Sequence, residues 1–179
     1  PFLWRFWSKT PEKGRIAIFD RSWYRRLSVE RMDGEIDKKE WKRAFDDIRA
    51  FEKQLADDGC LIVKFFLHIS KKEQKRRFKT LLANPATEWR VTKDDLRHHR
   101  QYGKYRKVFS EMLEGTDTAY APWTVLESKN QKAATFKIFS EITEKLGKRL
   151  SARVVARIPC PESAKPAHVG RSIVGESDF

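Results

Sequence analysis

Asp20 and Arg21 are the adjacent pair in this 179-residue sequence best suited to chemistry. They follow Arg15-Ile16-Ala17-Ile18-Phe19, in which four apolar residues run without alternation into a carboxylate. Such a run reads as a strand buried on both faces, as in a parallel sheet. Asp20 then falls at the strand's C-terminal end, the edge where open α/β sheets bind ligands. A carboxylate there can hold Mg²⁺, directly or through water, and the metal can bridge phosphate oxygens. Arg21 beside it offers a planar fork for phosphate. The same residues also suit a plainer role, with Asp20 capping a following helix and Arg21 on the surface.

A second set of candidates opens the helix after Ser70. The spacing Ser70-x-x-Glu73 is a capping box, and the helix it starts carries Lys71, Arg76 and Arg77. These cations begin near the expected ligand edge and suit a polyanion clamp; equally, they suit a solvated basic face. His68, just before, could touch phosphate or serve as a satisfied structural residue. His98, His99 and Arg100 are consecutive, so on a helix they fan apart and do not converge on a metal.

The elements that must position these residues follow from periodicity. Residues 2–7 read as the end of a helix, and 22–31 as a short helix or ordered loop. Asp37-x-x-Glu40 caps a helix whose core face is Trp41, Ala44, Phe45, Ile48, Phe51 and Leu55. Cys60–Leu67 is a second candidate buried strand, with Cys60 a buried thiol, and 122–127 a third. The helix from Ser70 stops at Asn84-Pro85. After an irregular connection over 86–94, Thr92-x-x-Asp95 starts one long helix that stops at Gly115. The last helix spans Ala133 to Leu150, with Phe136, Phe139, Ile142 and Leu146 toward the core. Residues 151–179, broken by Pro and Gly, read as a linker or tail.

Composition narrows the partners. The chain holds 38 Lys plus Arg against 25 Asp plus Glu, a formal charge of +13 that favours polyanions. Aromatics fall mostly on apolar helical faces, so a nucleic-acid platform is disfavoured. No apolar run approaches a membrane span, and no signal peptide is visible. The two cysteines, Cys60 and Cys160, lack metal-ligand spacing and fit a reducing, cytoplasmic setting.

The string Phe19-Asp20-Arg21-Ser22-Trp23-Tyr24, continuing through Arg26 to Val29-Glu30-Arg31, resembles the Walker B segment of the polyphosphate kinase 2 family. Phe2-Leu3-Trp4-Arg5-Phe6-Trp7, Phe66-Leu67-His68-Ile69-Ser70 and Ala121-Pro122-Trp123 resemble that family in the same order. The resemblance covers roughly residues 1–150. It implies an α/β fold, a three-layer P-loop NTPase-like parallel sheet flanked by helices, with a helical lid at about 71–100. It implies direct, Mg²⁺-dependent phosphoryl transfer between inorganic polyphosphate and an AMP-, ADP- or ATP-type nucleotide. Asp20 would then help organise Mg²⁺, directly or through water, and Arg21 would contact phosphate. Lys71, Arg76, Arg77, Arg90 and Lys93 would line the lid and the polyphosphate path.

One part of the family pattern is missing. No G-x-x-x-x-G-K string occurs, and none of the 8 glycines cluster. The N-terminal strand and its phosphate-cradling loop are therefore expected to be absent from this chain, which starts at Pro1 and reads as a fragment or processed product. The strands ending at Phe19 and His68 would lack the strand between them, and a second copy or a partner segment would complete the sheet. By itself the chain is expected not to turn over substrate. The alternatives are a non-catalytic structural or dimerisation half of a tandem-domain polyphosphate:AMP phosphotransferase and, further off, a basic nucleic-acid-binding protein.

Overall fold

A computed structural model describes residues 2–157. It is a helix-rich α/β structure with a parallel sheet. The elements run α1 (Trp4–Trp7), a 3-10 helix (Trp23–Leu27), α2 (Val29–Asp33), α3 (Lys38–Asp57), β1 (Lys64–His68), α4 (Lys71–Leu82), a 3-10 turn (Glu88–Arg90), α5 (Lys93–Arg100), α6 (Tyr102–Thr116), β2 (Trp123–Glu127) and α7 (Gln131–Arg157). Of the described residues, 2–142 belong to one compact unit, and a second starts at Thr143.

Capping chemistry sets the helix starts. The Asp37 carboxylate accepts from the Glu40 N–H at 2.7 Å, and the Glu40 carboxylate accepts from the Asp37 N–H at 3.3 Å. Thr92 and Asp95 make the same reciprocal pair at 3.1 and 2.9 Å. The Ser70 box forms by half. Ser70 Oγ accepts from the Glu73 N–H at 3.2 Å, but the Glu73 carboxylate turns away to Arg76 and Arg77, because two guanidinium groups outcompete one amide.

The core of the first unit forms where α3 meets the 3-10 helix and α6. Ala44, Ile48 and Phe51 of α3 pack with Trp23, Tyr24, Leu27 and Met112. Burying a side chain such as Leu27 or Ile48 contributes about 1.5–3 kcal/mol. The α3 face expected from periodicity is the one buried, with Trp41, Phe45 and Leu55 at its margins.

β1 and β2 pair in parallel, Lys64 opposite Trp123 through His68 opposite Glu127. Their C-terminal ends therefore lie together, and the His68 carbonyl accepts from the Ser128 N–H at 2.8 Å.

Several expectations are corrected. Residues 15–19 form no strand; Ile16 and Ile18 are 77% and 92% exposed. An apolar run supplies the capacity for burial but not the partner that makes a strand, and β2 is the strand paired with β1 among the described residues. β1 begins at Lys64 rather than Cys60, and both Cys60 and Leu67 are partly exposed. The long helix expected after Thr92 breaks at Gln101, where its anchors change. His99 Nδ1 of α5 lies 2.7 Å from Gln74 Oε1 of α4, whereas Tyr105, Val108 and Met112 of α6 are buried.

Gly115 is not the stop either. It lies inside α6, packed so close to Phe45 that a Cβ would run into the ring. On α7, Phe136 and Phe139 are 73% and 64% exposed, and Ala134 is the buried residue. Spacing defines a stripe but not what covers it. The helix continues to Arg157, past Ser151. Residues 158–179 of the expected tail lie outside the described residues.

Candidate functional site

The Asp20 turn is fixed from both ends. Phe19 precedes it and Trp23 follows it, and their rings meet at 5.5 Å. Trp23 also packs edge-on to Phe6 at 5.6 Å and Phe51 at 4.9 Å. Between these anchors Asp20 is exposed, and Arg21 has φ +52°, the left-handed region that non-glycine residues seldom enter. Backbone held in that region costs of order 1–3 kcal/mol and persists where the surroundings over-determine it. The Asp20 carboxylate takes part in no hydrogen bond or ion pair among the described residues, so it caps no helix.

Around the turn lies an open groove of about 590 Å³. Arg5, Lys9, Arg21 and Arg25 line it with Asp20, Glu30 and Glu35. Glu30 is buried and anchors three arginines: Arg26 at 3.1 Å, Arg5 at 3.6 Å and Arg25 at 3.7 Å. Arg25 also reaches Glu35 at 3.9 Å. Buried acid thus organises exposed base, and Lys9 and Arg21 remain in the groove outside these pairs.

Behind the turn, Glu52 is wholly buried. Its Oε1 accepts from Trp23 Nε1 at 3.0 Å and from the Tyr24 hydroxyl. Its Oε2 accepts from Lys64 Nζ at 3.0 Å. Lys64 donates also to the Thr116 carbonyl at 2.7 Å, and its ammonium lies 4.9 Å from the Trp123 ring centroid. Burial raises the pKa of Glu52 and lowers that of Lys64, and the attraction and hydrogen bonds within the pair oppose both shifts.

The lid candidates do not line this groove. Lys71 is exposed at the start of α4, just past the C-terminal end of β1. Arg76 clamps Glu73 with two bonds, at 2.8 and 2.7 Å. Arg77 bonds Glu73 at 2.9 Å and donates to the carbonyls of Ser128 at 2.6 Å and Lys129 at 3.1 Å, tying α4 to the segment after β2. Hydrogen bonds from Arg76 and Arg77 hold the Glu73 carboxyl down at about 2. Arg90 is exposed on the connection to α5 and Lys93 is exposed at the first position of α5, and neither forms an ion pair among the described residues. His68, partly buried, lies 6.5 Å from the Tyr102 ring, centroid to centroid.

The sequence reading did not single out Glu30 as a hub, or Glu52 and Lys64 at all. A signal for the pair was present. Lys64 interrupts an apolar run, and Glu52 stands next to Phe51 on the apolar stripe of α3. A charge in either place needs a buried counter-charge.

Comparison with known proteins bears on all of these elements. Residues 1–153 match the profile of the family described as polyphosphate kinase 2. A polyphosphate:AMP phosphotransferase of Pseudomonas syringae pv. tomato is 40% identical over 148 residues, covering 83% of this chain and 30% of the relative. An AMP/ADP-polyphosphate phosphotransferase of Meiothermus ruber is 34% identical, covering 91% of this chain and 59% of the relative. The crystal structure of polyphosphate kinase 2 from Arthrobacter aurescens superposes with a TM-score of 0.79 at 33% identity, over 83% of this chain and 52% of that one. The chain thus spans between 30% and 59% of the length of these three proteins. The matched stretch holds the parallel sheet, the strained Arg21 turn and the cationic groove, and by it this chain belongs to the polyphosphate kinase 2 family.

Proposed function

We propose that this chain carries the metal- and phosphate-binding part of a phosphotransferase that moves a phosphoryl group between inorganic polyphosphate and a nucleoside mono- or diphosphate. The observation that carries the reading is an unpaired carboxylate, Asp20, on a strained turn inside a groove lined by Arg5, Lys9, Arg21 and Arg25. The names of the relatives, polyphosphate:AMP and AMP/ADP-polyphosphate phosphotransferase, support the substrate class.

Among the described residues no three acidic, His or Cys side chains gather as a metal cage. Mg²⁺ does not need one, since it binds through one or two carboxylates together with substrate phosphates and retained waters. Asp20, exposed and unpaired, fits that role, directly or through water. When bound, Mg²⁺ supplies charge neutralisation on the phosphate oxygens.

The protein's own residues do the rest by position and charge. Arg21 presents its fork to a phosphate, and Arg5, Lys9 and Arg25 lower the cost of bringing in a polyanion. Lys71, Arg76, Arg77, Arg90 and Lys93 are assigned to the lid and the polyphosphate path. Of these, Lys71, Arg90 and Lys93 have charges uncommitted among the described residues, Arg76 is paired with Glu73 within α4, and Arg77 acts by tying α4 to the segment after β2. Lid closure excludes water that would otherwise hydrolyse the chain. The amide cradle for the transferred group is assigned to a segment outside these residues, and a partner segment or second copy is assigned to pair with residues 15–19. A nucleotide substrate is in keeping with a cytoplasmic site of action. Among the described residues no helix is long and apolar enough to cross a membrane.

The test is transfer by the full-length protein carrying this chain, given polyphosphate, Mg²⁺ and AMP or ADP. Formation of ADP or ATP, with a loss of about 10²-fold or more on Asp20→Asn, is expected. Unchanged activity in Asp20→Asn would instead support a non-catalytic structural half, the reading that the unpaired 15–19 segment favours.

A further inference from the structure

The turn that presents Asp20 and Arg21 has no hydrogen bond of its own strong enough to explain its shape. Ser22 makes no side-chain cap for the 3-10 helix, and the bond closing that helix, Arg25 N–H to Ser22 O, is long at 3.4 Å. What fixes the turn is the ring contact between Phe19 and Trp23 across its base. What fixes Trp23 in turn is the bond from its indole N–H to Glu52. The next residue, Tyr24, donates to the same oxygen. Glu52 is held in turn by Lys64, which is bonded to the end of α6.

We infer that Glu52 is a positioning residue for the Asp20–Arg21 turn, with Lys64 as the group that aims its carboxylate. A bond from the middle of α3 sets the direction of Trp23, Trp23 sets Phe19, and the two together hold the three residues between them in a strained shape. Packing alone would leave the Trp23 ring free to slide in a pocket of other rings, since aromatic contacts are tolerant of offset. The indole and phenol donors give the site a direction that rings do not. Glu52 acts through Trp23 and Tyr24 and is not placed against substrate.

The role is separable from stability. Replacing a buried ion pair by apolar residues of similar volume is often neutral for folding, whereas removing one partner alone is not. Two double variants differ only in the acceptor at position 52. Glu52→Gln/Lys64→Met keeps an oxygen for Trp23 and Tyr24, and Glu52→Leu/Lys64→Met removes it.

The measurement is amide hydrogen exchange on the full chain. In the Leu/Met variant, exchange at the Arg25 and Ser28 amides, which bond the Ser22 and Arg25 carbonyls after the turn, is expected to rise at least tenfold over the Gln/Met variant, with amides of β2 and α4 matched between the two. Trp23→Phe, which keeps a ring and removes the donor, is expected to give the same local rise and keeps the test open if the Leu/Met variant fails to fold. Equal exchange at Arg25 and Ser28 in the two double variants, or a rise shared by β2 and α4, would overturn the inference and leave Glu52 a stability residue. The effect on catalysis rests on the function proposed above. In the full-length protein the Leu/Met variant is expected to lower kcat at least tenfold with less change in the nucleotide KM, and an unchanged kcat overturns the positioning role. If the parent shows no transfer, that function fails, and the exchange experiment still decides the inference.

Discussion

Arg97 of α5 reaches Asp33 at the end of α2, Nη2 to Oδ1 at 3.0 Å, while holding Asp94 of its own helix at 3.2 Å. The contact joins α5 to the helix that follows the Asp20 turn. Around it Arg97 Nε, His98 Nε2 and the Tyr105 hydroxyl are buried without partners among the described residues. Burial, with the Asp33 carboxylate adding to it, pushes the Tyr105 phenol up and keeps it neutral.

The Arg97–Asp33 pair is partly exposed, so its contribution to global stability is small, about 0.2–1 kcal/mol. Its larger effect is local, because α5 has few other anchors. Asp33→Asn is expected to leave the unfolding midpoint nearly unchanged and to speed tryptic cleavage at Arg97 and Arg100. A large fall in Tm with unchanged cleavage would contradict this.

Glu73 contributes a pH dependence on the acid side. Its carboxyl is held at about 2, below its ordinary 4.5, by hydrogen bonds from Arg76 and Arg77. A depressed folded-state pKa contributes stability above about 4.5, and that stability is lost as pH falls from there toward 2. Glu73→Gln is therefore expected to be less stable than the parent at pH 7, with the two converging as pH falls through this window. Parallel curves of stability against pH would show that the carboxylate does not act this way.

Gly115 packs against Phe45. Gly115→Ala gains helix propensity of about 1 kcal/mol but forces the ring to move, and overpacking costs typically 1–3 kcal/mol. A net loss of about 1 kcal/mol is expected by urea denaturation. Adding Phe45→Leu, which frees the space, is expected to recover part of it. Stabilisation by Gly115→Ala alone would show that the approach is loose.

Arg77 joins α4 to the carbonyls of Ser128 and Lys129. Arg77→Lys keeps the charge but cannot serve two carbonyls and a carboxylate in one plane. A loss of about 1 kcal/mol is expected, from the part-buried Ser128 carbonyl, while the exposed Lys129 carbonyl turns to water. An unchanged midpoint would mean that water replaces the guanidinium at no cost.

These sites differ in how far the sequence revealed them. α3 was readable to its cap because its apolar period and the Asp37–Glu40 box are both local signals. The 122–127 strand was readable for the same reason. Residues 15–19 were not, because pairing depends on a neighbour distant in sequence and an apolar run does not name it. The stripe at Phe136 and Phe139 misled in the same way. Asp20 and Arg21 were singled out from the run before them, but the φ of Arg21 and the cations of the groove come from α1 and the 3-10 helix folding onto one another. The Glu52–Lys64 pair escaped because each charge was hidden inside an otherwise apolar pattern, 12 residues apart in sequence. The same physics that makes a lone buried charge costly could have matched them.

The claim that Asp20 and Arg21 form a metal–phosphate site is tested most directly with Mn²⁺ in place of Mg²⁺. Added with tripolyphosphate to the ¹⁵N-labelled chain, it is expected to broaden the amides of Arg21, Ser22 and Arg25 first, and to lose that selectivity in Asp20→Asn. Broadening that spares this turn, or that persists unchanged in Asp20→Asn, would place the metal elsewhere and contradict the account.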